Sequence, residues 1–186
     1  MAESPSASAL GADPHIRSIE RAFLREVLAT EAGAVARFAD RIASGDDAGI
    51  HAAVDLFEAC KGHVVVSGMG KSGLVGAKIS ATLSSLGQPS HFVHPAEAVH
   101  GDLGSIRPDD VVLLLSWSGE TQEVVALASI LKMDGIPTVG MSGKAKSSLA
   151  RACTVHVDLG DLTEACPLNL APTASTTRTL AVGDAL

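Results

Sequence analysis

The most constraining feature of this chain is a run of valines that breaks into glycine. Val64-Val65-Val66 is a continuous apolar stretch of the kind that fills a strand buried on both faces. Ser67-Gly68-Met69-Gly70-Lys71-Ser72-Gly73 follows at once, and a helical pattern starts at Leu74. Strand, glycine-rich turn and helix, in that order, aim backbone N–H groups and a helix's positive end at a bound anion. Glycine lets the backbone approach such a ligand closely, because no Cβ intervenes.

The pattern recurs. Val111–Leu115 runs into Ser116-Trp117-Ser118-Gly119-Glu120-Thr121, followed by a helix over 121–134 that Gly135 ends. Around these two units the chain predicts strands at 63–67, 90–93, 136–141 and 154–157. It predicts helices at 72–86, 147–150 and 174–186, with a polar loop over 94–108. Alternating strands and helices, with strands that read as unbroken apolar runs, imply a parallel sheet covered on both faces. Upstream, apolar residues at three- and four-residue spacing predict a helix over 14–43, with a bend at Gly33, and a second over 47–59. Two long helices before any strand read as a flap against the domain or another subunit. Residues 1–13, rich in Ser, Ala and Pro, read as a disordered lead-in. The division is thus 1–13, helices over 14–60, and the α/β part over 61–186, with 14–186 as one structural unit.

Composition narrows the function. A chain of 186 residues can bury one sizeable core. With 3% aromatic residues, that core must be built from Val, Leu, Ile and Ala. A net charge of −7 argues against a nucleic-acid partner, which would want a basic face. No apolar run is long enough to cross a membrane, and the first residues lack the basic start and apolar core of a signal peptide. Cys60, Cys153 and Cys166 are odd in number and form no CxxC, so they read as free thiols in a reducing cytosol.

In such sheets ligands sit beyond the carboxyl ends of the strands. At the second turn, the hydroxyls of Ser116, Ser118 and Thr121 with the following helix's amides form a candidate phosphate cradle; the plainer alternative is an ordinary N-cap. At the first turn, Gly70 and Ser72 flank Lys71, a candidate to neutralise a phosphate or polarise an oxygen, where most lysines are merely solvated. The spacing is neither the GxxxxGK of nucleotide hydrolases nor a dinucleotide fingerprint, since no acidic residue ends the second strand. His94 and His100, in the loop after that strand, can exchange protons near neutral pH. With His91 they form a loose metal-ligand set, but His91 falls in the strand, so the three do not converge and only His94 remains a metal candidate. Glu123, one turn into the helix behind the phosphate loop, and Glu164, after the fifth strand, are candidate bases for a proton next to a carbonyl. Alone, Glu123 would read as a helix-dipole partner.

The segments SGMGKSG, FVHPAEAVHGDLG, SWSGET and EACPLNLAPTASTT with GDAL resemble the sugar isomerase (SIS) domain of arabinose-5-phosphate isomerases. The resemblance runs from Val64 to Leu186 and weakly includes the N-terminal helices. It implies a five-stranded, flavodoxin-like α/β sandwich in three layers, assembled as a homotetramer in the cytoplasm. It implies interconversion of D-arabinose 5-phosphate and D-ribulose 5-phosphate through a cis-enediol, without a required cofactor, feeding synthesis of Kdo for lipopolysaccharide. Lys71, Glu123 and Glu164 match the family's catalytic residues. Gly70, Ser72, His94, His100, Ser116, Ser118 and Thr121 match its substrate-facing positions, and His94 is where an inhibitory zinc would bind.

The chain departs from the family in three respects. Trp117 stands where the family carries a small polar residue, often Asn. A further catalytic histidine, which the family places beyond the last helix, does not occur up to Leu186, and neither do the paired CBS domains that often follow. Two alternative readings therefore stand beside the isomerase. One is a regulatory domain that binds a sugar phosphate with little turnover, and the other is an isomerase of another sugar phosphate.

Overall fold

A computed structural model describes residues 13–186. The disordered lead-in expected at the N-terminus lies outside them, except for Asp13, whose side chain accepts from His15 N at 2.8 Å and caps the first helix. The elements in chain order are α1 (Pro14–Ala43), α2 (Ala48–Ala59), β1 (Val64–Gly68), α3 (Gly70–Ser85), β2 (Ser90–Phe92), α4 (Pro95–Val99), β3 (Val111–Leu115), α5 (Gln122–Met133), β4 (Thr138–Ser142), α6 (Ser148–Ala152), β5 (Val155–Asp158) and α7 (Ala174–Ala185).

All five strands are parallel, in the order β2-β1-β3-β4-β5. This is the flavodoxin-like order, with a switch point between β1 and β3 where the chain leaves in opposite directions. Every residue of β1, β3 and β4 is buried. Neighbouring strand residues face opposite sides of the sheet, so each strand feeds two cores. Val66, Leu113, Leu115, Val139, Met141 and Val157 pack with residues of α1, α2, α3 and α7 on one face. Val65, Val112 and Leu114 pack with Val124, Leu127 and Leu131 of α5 and Leu149 of α6 on the other. The result is the three-layer α/β sandwich that the alternation of elements predicts.

The helix ends follow the glycines. Gly87 and Gly135 take φ of +92° and +72° just past α3 and α5, a conformation that an L side chain resists. Gly33 does not bend α1. The helix runs unbroken from Pro14 to Ala43, because a lone glycine costs helix propensity without removing a backbone donor. The stretch expected as a plain loop over 94–108 holds α4 and a 3₁₀ turn at Asp102–Ser105. The five residues of α4, Pro95 included, are too few to show a helical period.

The C-terminal half of α1 lies against α7. Arg178, 3% exposed, donates from Nε to Ala34 O (2.8 Å) and from Nη1 to Leu159 O (2.7 Å), tying α1, α7 and the exit of β5 together. Burial, with Arg37 and Arg41 nearby, holds its pKa below the usual guanidinium value. Thr177 adds a hydroxyl donated to Glu31 Oε2 at 2.5 Å. The N-terminal half of α1 carries Ile16, Ile19, Phe23, Leu24 and Leu28 exposed. Helix α7 also packs on α3, where a Cβ on Gly183 would lie 2.2 Å from Ile79 Cδ1. No described helix is long and apolar enough to cross a membrane.

Close approach sets the sharpest constraint at the start of α3. A Cβ on Gly73 would sit 2.6 Å from the carbonyl oxygen of Gly68, a backbone atom that cannot move aside. Gly73→Ala is expected to destabilise the protein by roughly 1–3 kcal/mol, read as a lower urea midpoint. Leu114→Ala, which opens a cavity in the fully buried centre of β3, is expected to cost about 2–5 kcal/mol.

Candidate active site

The carboxyl ends of β1 and β3 flank the switch point, and each leads into a candidate turn. After β1, Gly70, Lys71 and Ser72 form the first turn of α3. The N-cap residue is Met69, which has no oxygen to offer, so no side chain caps these amides. Lys71 is exposed and Ser72 half-buried at the rim of a cavity of about 230 Å³. Trp117, Glu164, Pro172, Ser175, Thr176 and Thr179 complete much of its wall. Residues from the ends of β1, β3 and β5 and from the start of α7 thus converge on one space.

Glu164 is held by the N-terminus of α7. Its Oε2 accepts from Thr173 N (2.8 Å), Thr173 Oγ1 (3.0 Å) and Ser175 N (3.2 Å). The Thr173 hydroxyl in turn accepts from Ala165 N at 2.9 Å, which closes the loop on itself. Burial raises the carboxyl pKa, but the hydrogen bonds from Ser175 and Thr173 outweigh it and hold Glu164 below the usual carboxylate range. Oε1 takes no hydrogen bond among the described residues, which leaves it for a ligand. Sequence reading missed Thr173 and Ser175. Their signal was a Thr after Pro172 at the start of the last helical stretch, which reads only as a generic helix start.

In the second turn, expected as a phosphate cradle, the hydroxyls bond within the turn. Ser116 is buried, and its Oγ lies 2.8 Å from Thr121 Oγ1 and accepts from Gly119 N at 3.1 Å. Both hydroxyls therefore shape the turn. Ser118 is exposed, accepts from Glu120 N at 3.2 Å, and borders a neighbouring depression with Lys144 and Lys146. Glu123 is half-buried in the first turn of α5 and is absent from the wall around Lys71 and Glu164. His94, the N-cap position of α4, and His100, at its C-terminal end, are likewise outside that wall. His94 Nδ1 is buried without a hydrogen-bond partner among the described residues. No group of three His, Cys, Asp or Glu side chains that could hold a metal ion occurs among the described residues. His91 lies in β2, as expected; burial and the neighbouring His63 lower its pKa, against a smaller opposing pull from Asp110.

The cysteines are free thiols. Burial pushes Cys153 up to about 11. Backbone N–H groups of Ala171, Leu170 and Leu168 hold the Cys166 thiol, two residues past Glu164, below its usual value.

Together these features define an α/β domain with a small cavity at the carboxyl edge of its sheet, lined by a lysine and a carboxylate. The chain belongs to the SIS domain family, whose pattern matches residues 58–186. It is 60% identical over 134 residues to the arabinose 5-phosphate isomerase KdsD of Pseudomonas aeruginosa, covering 72% of this chain and 41% of that protein. It is 47% identical over 163 residues to the arabinose 5-phosphate isomerase KpsF of Escherichia coli O6:H1, covering 88% of this chain and 49% of that one. The chain therefore spans less than half the length of either relative. Among solved structures, E. coli CFT073 c3406 in complex with A5P superposes with a TM-score of 0.84 at 39% identity, over 90% of this chain and 87% of that one. A sugar-phosphate isomerase candidate from Listeria monocytogenes gives 0.83 at 27% identity, over 94% and 88%.

The Glu164 contacts carry a pH signature. A carboxyl held below its unfolded pKa contributes stability above that unfolded value, and the contribution fades as pH falls through the folded one. Glu164→Gln is expected to lower the unfolding midpoint at pH 7. The gap to the parent protein should narrow as the pH drops below about 4.3, the ordinary glutamate value. Urea titrations at pH 7 and pH 3.5 measure both gaps.

Proposed function

We propose that this chain is an aldose–ketose isomerase domain that interconverts D-arabinose 5-phosphate and D-ribulose 5-phosphate through a cis-enediol. The observation that carries the reading is the convergence of Lys71, Ser72 and Glu164 on one small cavity at the switch edge of the sheet. The names of the relatives above support the substrate. The reaction moves a proton between C1 and C2 and passes it through a base. Glu164 is a carboxylate at neutral pH, and its Oε2 is fixed while Oε1 is free to take that proton. The Lys71 ammonium, placed in the same wall, stabilises the charge that develops on the substrate oxygens. The uncapped amides at the start of α3 and the Ser72 hydroxyl are the groups the cavity wall offers to the phosphate, with the Ser116, Ser118 and Thr121 turn after β3 beside it. Glu123, His94 and His100 act from outside the wall in this scheme, with Glu123 in the proton path only if the substrate reaches it.

The same reading makes the protein a cytoplasmic homo-oligomer, with four subunits, in the route to Kdo and lipopolysaccharide. The exposed apolar stripe of α1 supports association, since large apolar side chains on one helix favour a covered face. It needs no cofactor. Zinc would enter as an inhibitor at His94, whose buried, unpartnered Nδ1 supports that position. A second reading, sugar-phosphate binding with little turnover, draws support from the same geometry, because of the residues matched as catalytic only Lys71 and Glu164 line the cavity.

Proton NMR of the protein with D-ribulose 5-phosphate in heavy water separates the two. Arabinose 5-phosphate signals are expected, with Lys71→Ala and Glu164→Gln slowing their appearance by roughly 10²–10⁴-fold. Broadened substrate lines without product would establish the binding domain, and unaltered lines without product would remove the substrate assignment.

A further inference from the structure

We propose that the Trp117 indole is the wall that limits how long a sugar phosphate this site accepts, and that it confines the site to five-carbon chains. The inference rests on the isomerase-site reading above. Trp117 is the only tryptophan of the chain and stands between the two serines of the turn after β3. That turn is stiff, because Ser116 bonds Thr121 and Gly119 while Ser118 accepts from Glu120. The backbone of Trp117 is pinned as well, its carbonyl accepting from Gly143 N at 2.9 Å.

The ring has no room behind it. A Cβ on Gly143 would lie 2.9 Å from both Cε2 and Cζ2 of the indole, so the ring rests directly on that glycine's backbone. Its remaining inner surface packs against the apolar cluster that holds Leu113, Leu115 and Met141. What is left over faces the cavity shared by Lys71, Ser72 and Glu164. At about 230 Å³ that cavity is smaller than the roughly 300–1,000 Å³ usual for small-molecule sites. A bulky, rigid side chain held from two sides therefore cannot yield to an extra hydroxymethylene group. The sugar's C–H face can still lie on the indole.

The test compares affinities for D-arabinose 5-phosphate and for D-glucose 6-phosphate, which carries one more carbon in the same stereochemical series, by calorimetry. The parent protein should bind the five-carbon sugar at least about ten-fold tighter, the scale on which a closed pocket rejects one extra carbon. Trp117→Ala should shrink that preference to about two-fold or less, chiefly by gaining the six-carbon ligand. Gly143→Ala, which pushes the ring into the cavity, should weaken five-carbon binding without relaxing the preference. The parent protein supplies a check that needs no variant. Its whole tryptophan emission comes from Trp117, so arabinose 5-phosphate should change that emission saturably, at the concentration calorimetry gives. A Trp117→Ala protein that keeps the parent's preference, or binding that leaves the emission unaltered, overturns the proposal while the isomerase reading stands. Absence of both binding and turnover in the parent protein overturns the two together.

Discussion

An all-parallel sheet must be covered on both faces, and most of this structure follows from that requirement. Parallel strands need crossovers long enough to hold a helix, and the helices supply the cover. Val66, Leu113 and Leu115 then point to one layer while Val65, Val112 and Leu114 point to the other. Burial on both sides keeps β1, β3 and β4 apolar except for Ser67, Thr138 and Ser142 at or next to strand ends, so chemistry is displaced to those ends. The switch between β1 and β3 opens a gap at the carboxyl ends because successive crossovers leave it in opposite directions. The Lys71 turn and the Trp117 turn occupy the two sides of that gap.

Helix α7 does the remaining work of the site. Its N-cap and first turn supply the amides and the threonine hydroxyl that hold Glu164, so a carboxylate from beyond β5 is fixed by an element that starts sixteen residues downstream of that strand's end. Arg178, one turn along, grips Leu159 at the other end of the same segment and Ala34 on α1. A buried guanidinium with carbonyl partners is stable only while all three elements stay together, which fixes the C-terminal half of α1 against the domain. The positive end of α7 and the positive end of α3 both face the cavity edge, so an anionic ligand meets two helix dipoles there.

Much of this was legible in the sequence. The valine run before Ser67 and the Val111–Leu115 run announced the two central strands, and the glycines at 87 and 135 marked helix ends, because burial and positive φ leave few residue choices. Lys71 and Glu164 could be picked out by chemistry and position. The convergence itself could not, since Lys71 and Glu164 are 93 positions apart in the chain and only the packing of α7 on α3 brings them to one wall. The roles of Thr173 and Ser175 were hidden for a different reason: Ser and Thr at a helix start are common, and nothing local says that their donors will be used by a glutamate. The bond between the Ser116 and Thr121 hydroxyls, both expected to face a phosphate, depends on the shape of the turn and was not legible either. The unbroken course of α1 through Gly33 reflects packing on α7, which outweighs a single residue's propensity.

The contact between Gly183 and Ile79 reaches the site from the far end of two helices. The spacing between α3 and α7 is set where Ile79 fills the place of the missing Cβ on Gly183, well away from either helix's N-terminus. Each helix carries one half of the chemistry at that far end, a lysine on α3 and the clamp for a carboxylate on α7. A side chain at this position would spread the two helices and alter the distance between Lys71 and Glu164 without touching either. An interior glycine is thus tied to the Lys71 and Glu164 wall although it touches neither residue.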